Sequence, residues 1–451
     1  MSKPLLVFQA PIATRSGYGE RSRDLVRALI ATEKYDIKIV STRWGDTPMN
    51  ALSNEDQDII SRMLMGSLNQ QPDIYMQVTV PNEFQRVGKL NIGVTAGIET
   101  TLCSPEWIEG INKMDLVLVS SKHAKDVFEA ASYEKRDSRT NQPIGHLKCE
   151  RPIEVLFEGL NLDVFNKDSE TSSDTVKDIM SQVKEDFAFL FVGHWLPGQF
   201  GEDRKNVALT IKLFLESFKN KTNAPALILK TSGGKPSIVD RDQLQNKIDI
   251  IKKTVDTKVL PNIYVIHGDL TDAEMNDLYN HPKVKVHVSL TKGEGFGRPL
   301  IEAAITGKPV IASNWSGHLD FLDKDTSFLV PGQLTNVHPS AAWDKVILTE
   351  ASWWSVEQGY VIGIMRDIFK NYKNYLEKSR KTTKHIKDNF SLSKMQETLD
   401  SLITPWVDKI PKKVELQLPK LKKAENENVK KIDLPKLKKI DLTQLKKVED
   451  A

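Results

Sequence analysis

The chain has 451 residues, a formal net charge of +3, 39% hydrophobic and 27% charged residues. That length builds two domains with full cores, and the composition excludes a disordered or fibrous chain. No run reaches the length of a membrane span, MSKPLLVFQAP lacks a signal peptide's long apolar segment, and two cysteines (Cys103, Cys149) make neither a disulfide framework nor a metal cluster, so a reducing cytoplasm is the expected location.

Leu5 to Phe8 reads as a first buried strand, Pro11 to Gly19 as a turn, and Glu20 to Ala31 as a helix with Leu25, Val26, Leu29 and Ile30 on one face. Gly17-Tyr18-Gly19 lacks the third glycine of a dinucleotide fingerprint, and the next strand, Ile37 to Val40, ends in Ser-Thr-Arg rather than an acid. Hydride transfer is therefore disfavoured. Asp73 to Thr79, Leu90 to Thr95 and Leu116 to Val119 read as further strands. Pro105 starts a helix, Ser121 caps another over Lys122 to Ala131, and the polar run Tyr133 to His146 reads as a surface loop. Glu99 lies just past a strand end. Ile153 to Phe157 closes this half, and Ser169 to Thr175 is polar enough for a linker.

The second half opens with the apolar strand Phe187 to Val192. Gly193-His194-Trp195, then Arg204-Lys205-Asn206, lead into an amphipathic helix carrying Val207, Ile211, Phe214 and Phe218. Cations at a helix start are unfavourable unless an anion is present, so Arg204 and Lys205 suggest an anion site. Ala226 to Lys230 and Ile263 to Ile266 are strands, with Thr231 to Gly234 a turn at a strand's C-terminal end. Val284 to Ser289 alternates as a strand, Lys292 to Arg298 is a Gly-rich turn, Pro299 can open a helix, and Val310 to Ala312 is a second buried strand. The backbone N–H groups of Gly295, Phe296 and Gly297 sit at a helix start, where a phosphate is held. Glu294 beside them suits the hydroxyls of a sugar. Glu302, eight residues on, suits a ribose diol.

EGFGRPLIEA followed by GKPVIASNWSGHLDF resembles the signature of retaining GT-B glycosyltransferases, especially the family 4 (group 1) members. Arg298 replaces a usual aliphatic residue, and Asp320 stands where Glu is common. The resemblance implies an α/β chain with two Rossmann-like parallel-sheet domains facing a cleft. It places an acceptor-side domain at 1–168, a linker at 169–180, a nucleotide-sugar domain at 181–390, a helix crossing back at 391–410, and a Lys-rich tail at 411–451. The implied donor is a UDP-, GDP- or ADP-sugar, with no bound cofactor or metal. The implied catalytic set is Glu294, Lys205, Arg204 and Glu99. The implied donor set is Gly17, Gly19, Gly193, His194, Thr231, Gly295, Phe296, Gly297, Arg298, Pro299, Leu300 and Glu302. Lys205 matches the family lysine, whereas His194 stands in place of arginine, so Arg204 is expected to supply the second charge. Glu99 lies where many members carry a His–Asp pair and is expected to bind hydroxyls, act as a base, or merely approach a helix. Glu158 and Asn161 depart from the family's Asn-Gly-Val-Asp-x-x-x-Phe segment. Trp343 to Trp354 reads as a family-specific insertion, and Tyr360 to Asn389 as a long helix.

Two Asp-x-Asp strings, Asp240-Arg241-Asp242 and Asp323-Lys324-Asp325, fall in loop or helix-boundary contexts and read as chance matches to a metal motif. The tail holds twelve lysines and seven acids, with KKIDLPKL and KKIDLTQL repeating at eight residues. It reads as a solvated, disordered tail or as a tether for DNA, an anionic surface or a protein. The acceptor hydroxyl belongs to a glycan, a lipid-linked glycan, or a hydroxymethylated DNA base as in phage DNA modification (host cytoplasm in that case). Rival readings are an inactive sugar-nucleotide scaffold with a recruiting tail and a GT-B epimerase.

Overall fold

A computed structural model describes residues 3–167, 173–233 and 237–411. Residues up to Ile410 form one compact unit. The Lys-rich tail lies outside the described residues, save Pro411.

The apolar runs of the first half become β1 (Leu5–Ala10), β2 (Asp36–Ser41), β3 (Ile74–Val78), β4 (Leu90–Thr95) and β5 (Leu116–Val119). β6 (Ser132–Arg136) and β7 (Pro143–Lys148) then precede β8 (Ile153–Val155). Strands β2-β1-β3-β4-β5-β8 make one parallel sheet in that order. Nearly every residue of β3, β4 and β5 is buried, as expected of parallel strands covered on both faces. The helix Gly17–Ala31 is capped by Ser16, whose Oγ accepts from the Gly19 N–H at 3.0 Å. It begins at Gly17, three residues earlier than the apolar face indicates.

The second half supplies β9 (Ala188–Val192), β10 (Ala226–Lys230), β11 (Ile263–Ile266), β12 (Val284–Ser289), β13 (Val310–Ser313) and β14 (Phe328–Val330), in the order β11-β10-β9-β12-β13-β14. This too is a parallel sheet. Its order reverses between β9 and β12. Open α/β sheets bind ligands in the crevice at such a point, beyond the strands' C-terminal ends. The loops leaving β9 and β12 carry Arg204, Lys205 and Glu294.

One expectation is corrected, and two further stretches gain a structure. The run Tyr133 to His146 is not a loop but the antiparallel pair β6–β7. Its residues are mostly exposed, so no apolar alternation marks it. Part of the expected 169–180 linker is helical: Ser173 Oγ caps Asp174–Ser181, while 168–172 lie outside the described residues. The end of the run Trp343 to Trp354 enters β16 (Ser352–Val356), which pairs antiparallel with β15 (Gly332–Asn336), upstream of the run. This pair reaches the first sheet's side of the molecule. The Thr101 N–H donates to Ser352 O (2.9 Å), and the Ser352 N–H donates to Thr101 Oγ1 (2.8 Å).

The helix Gln358–Asn389 carries non-helical backbone angles at Asn371. After Ser391 caps the next helix, Leu392–Val407 returns to the first sheet. There Met395, Leu399 and Ile403 are buried in one cluster with Leu6, Phe8 and Leu29. Leu399→Ala removes a buried side chain from this junction and is expected to cost about 2–5 kcal/mol in chemical denaturation, whereas truncating exposed Ser401 should leave the midpoint nearly unchanged.

Candidate functional site

The β12 strand releases its chain at Leu290 into a loop that ends at the helix Arg298–Ala304. Gly297 is the N-cap, with φ of 102°, a left-handed conformation that glycine adopts without strain. Pro299 sits in the first turn, where its missing N–H costs nothing. Phe296 and Leu300 turn into the hydrophobic core, Phe296 against Phe321 at 5.0 Å between ring centroids. Their side chains therefore anchor the loop, and only their backbone is left for a ligand.

Glu294 lies at the centre, 6% exposed. Its Oε1 and Oε2 accept from Lys205 Nζ at 2.6 and 2.8 Å. Arg204 Nη1 reaches Glu294 Oε2 at 3.4 Å and donates to the Gly293 carbonyl at 3.0 Å. The same guanidinium lies 3.6 Å from Glu99 Oε1, so the acid beyond β4 joins the cluster. The Glu294 N–H donates to Ser316 Oγ at 2.9 Å. Burial by itself would raise the Glu294 carboxyl, but the Lys205 and Arg204 charges outweigh it and hold the group at about 2. Glu294 is thus an anion throughout the neutral range.

The loop presses against the first half of the chain. A Cβ on Gly293 would stand 1.9 Å from Glu99 O, and one on Gly295 would stand 2.4 Å from Ala96 O. Ser120 Oγ also donates to Gly295 O at 3.0 Å. Two of the three loop glycines are thereby required by the approach of backbone to backbone.

His194 follows β9, and its Nδ1 lies 3.0 Å from Ser232 Oγ. Burial of part of the ring, then the Lys205 and Lys230 charges, push its pKa down, so it stands neutral where the related pattern has arginine. Gly193 donates its N–H to Lys230 O at 3.1 Å and Thr231 its own to Ile266 O at 3.2 Å. Thr231 Oγ1 is buried and has no partner among the described residues. Gly17 and Gly19 lie in the first turn of the Gly17–Ala31 helix. Tyr18 between them donates to or accepts from Thr95 Oγ1 at 2.9 Å and stacks on Trp44, with centroids 3.9 Å apart.

Glu302 belongs to a second charge network that the sequence did not reveal. Arg298 Nε lies 3.1 Å from Glu302 Oε1 and 3.3 Å from Glu20 Oε2, and Arg298 Nη1 lies 2.7 Å from Asp24 Oδ2. Tyr279 OH donates to Glu302 Oε2 at 3.1 Å. One guanidinium thus meets three carboxylates, two of them on the first helix of the chain. Burial raises the Glu302 carboxyl to about 8; Arg298 opposes the rise and Glu20 adds to it. Burial likewise raises Glu20. The missed partners, Glu20 and Asp24, sit four apart on a helix whose other face is core; the one sequence signal was Arg298 standing where an aliphatic residue is usual.

Asp320, the variant acid, accepts from the Lys122 N–H at 2.8 Å. It lies at the start of the Lys122–Ala130 helix, where a carboxylate is favoured. Asp240 lies in the first turn of the helix Ile238–Lys253 and is engaged by the Gly233 N–H (2.9 Å to Oδ2) and by His267 Nε2 (2.8 Å).

Residues 176–341 match a family model described as glycosyl transferases group 1. No curated protein sequence matches the chain. Among solved structures, a glycosyltransferase from Rickettsia africae ESF-5 superposes with TM-score 0.56 at 14% identity, covering 91% of this chain and 100% of that one. Sucrose-phosphate synthase from Thermosynechococcus elongatus gives 0.57 at 12%, covering 90% and 100%. Anabaena HepE in complex with UDP and glucose gives 0.53 at 12%, covering 89% and 100%. The fold is the GT-B arrangement of two Rossmann-like parallel-sheet domains.

The Glu302 network makes a pH prediction. Its folded pKa of about 8 exceeds an unfolded value of about 4.3, so the folded state holds the extra proton and stability falls as pH rises between those values. Glu302→Gln removes that slope. Its melting temperature should exceed the wild type's at pH 8.5 and converge towards it near pH 4; a constant offset would contradict the raised pKa.

Proposed function

We propose that the chain moves a sugar from a nucleoside diphosphate sugar to a hydroxyl acceptor with retention of anomeric configuration. The observation that carries this reading is the cluster of Lys205, Arg204 and Glu294 at the point where the second sheet reverses its order. It combines two half-buried cations with an ionised acid beside backbone N–H groups at a helix start.

In this reading Glu302 accepts from the ribose hydroxyls and Glu294 from the sugar hydroxyls. The N–H groups of Gly295 to Gly297 and the Lys205 and Arg204 side chains hold the diphosphate. As the bond from the anomeric carbon to the phosphate oxygen breaks, negative charge grows on that oxygen. Fixed cations stabilise it more than reorienting water does. Glu294 keeps Lys205 in place before the donor arrives, so its positioning costs nothing at the moment of reaction. The leaving phosphate oxygen takes the acceptor's proton on the same face of the sugar, so no protein nucleophile is needed. Glu99 holds Arg204 and contacts acceptor or donor hydroxyls.

A UDP-sugar is the first donor to test, because Anabaena HepE was crystallised with UDP and glucose. Purified chain is incubated with UDP-, GDP- and ADP-sugars, with glycan acceptors and with duplex DNA containing hydroxymethylated cytosine. Nucleotide release that depends on one acceptor class is expected, and NMR of the product should show the donor's anomeric configuration. Inversion, or no release with any donor, would overturn the proposal. Lys205→Ala should lower kcat by about 100-fold or more with a smaller change in KM, as for loss of a group that acts on transition-state charge. An equal rise in KM at unchanged kcat would instead make Lys205 a ground-state binder. Deleting 411–451 should weaken DNA binding at low salt if the acceptor is DNA, and the weakening should vanish as salt rises.

A further inference from the structure

Between the loop after β9 and the β15–β16 pair lies a cavity of about 500 Å³. This is within the roughly 300–1,000 Å³ of small-molecule sites. Its walls include Phe200, Glu202, Lys292, Asn336, His338 and Gln358. None of the cleft residues Glu99, Arg204, Lys205, Glu294 or Glu302 lines it, and neither does any residue of the first sheet's domain. It is built from the loop that follows β9, the start of the β12 loop, the β15–β16 pair with its connection, and the helix residues Leu209 and Gln358.

Lys292 is the unusual member. It is 4% exposed, yet its Nζ lies 3.6 Å from Glu202 Oε2, beyond hydrogen-bond length. The Trp353 ring lies 5.2 Å from Nζ, and the charge of buried Asp203 also acts on it. An ammonium carries three donors and no acceptor. A loose ion pair and a ring face leave donors free for an acceptor in the cavity that Lys292 lines. Glu202 is about one-third exposed on its side chain and can turn to water when an anion takes its place. A second cation, Lys212 Nζ, lies over the ring of Phe200, 5.5 Å from its centroid. Phe200 is itself 47% exposed, and an open aromatic face among amide and imidazole groups suits a hydroxylated ring.

We propose that this cavity is a second ligand site, separate from the donor cleft, for a sugar-sized anion bearing a phosphate or carboxylate that Lys292 neutralises. Lys292 also ties the site to the cleft. Its N–H donates to Arg204 O at 2.7 Å, its carbonyl accepts from the Trp354 N–H at 2.9 Å, and Glu294 is two residues on. An anion drawn onto Lys292 therefore acts on the same short segment that holds Arg204 and Glu294.

Titration calorimetry on the full chain tests this with glucose 6-phosphate, glucuronate, inorganic phosphate and neutral glucose as probes. At least one sugar anion should bind more than 10-fold tighter than glucose and than inorganic phosphate. Preference for glucose 6-phosphate would assign a phosphorylated sugar, and preference for glucuronate a uronic acid. Lys292→Met should abolish the binding. Gln358→Glu adds an acid at the exposed first turn of a helix, where it favours folding, and should weaken the binding several-fold. Lys205→Ala, in the cleft, should leave it unchanged. Binding of no anion, equal binding of glucose, inorganic phosphate matching the sugar anions, retention in both cavity variants, or loss in Lys205→Ala would each overturn the proposal.

Discussion

A carboxylate that water scarcely reaches must be neutralised where it stands, and Glu294 is neutralised by Lys205 and Arg204. That requirement organises the second domain's ligand edge. It fixes the loop after β9, which carries the cations, against the loop after β12, which carries the acid. Glu99 shares Arg204, so the same charge cluster touches the first domain. Removing Lys205 or Arg204 would leave Glu294 a buried carboxylate short of a cation.

The second network obeys the same rule with a different outcome. Arg298 is a single cation among Asp24, Glu20 and Glu302, so the acids outnumber it. Glu294 has two cations and stays ionised; Glu302 has a shared one and takes a proton readily. Two acids eight residues apart in one motif thus hold opposite protonation tendencies. Both are buried, so the difference lies in the charges around each, and three of the groups that decide it, Glu20, Arg204 and Lys205, lie far away in sequence.

Much of the fold was legible because parallel strands announce themselves as continuous apolar runs, and Leu116 to Val119 or Phe187 to Val192 could hardly be elsewhere than in a sheet. The β12–turn–helix–β13 stretch was legible for the added reason that glycine, proline and acid occur at fixed offsets. What escaped lacks such local marks. The β6–β7 pair is exposed and polar, so no period separates it from a loop. The helix at Asp174 is short, and its buried contacts are Val176 and Met180. The glycines of the loop were read as bare N–H groups for a phosphate, whereas the contacts of Gly293 and Gly295 with Glu99 O and Ala96 O add a packing reason that no local pattern carries. Arg298's partners and the Lys292 cavity depend on elements brought together only by the tertiary fold.

The helix Leu392–Val407 completes the core of the domain that the chain begins with. During synthesis on the ribosome, the first sheet therefore emerges without the Met395, Leu399 and Ile403 side chains that close it. The second sheet meanwhile has all of its strands by Val330. The domain made first is the one that must wait, its apolar face open to water or to a chaperone for most of translation. A premature stop after residue 390 would release a chain whose later domain is whole and whose earlier one is not.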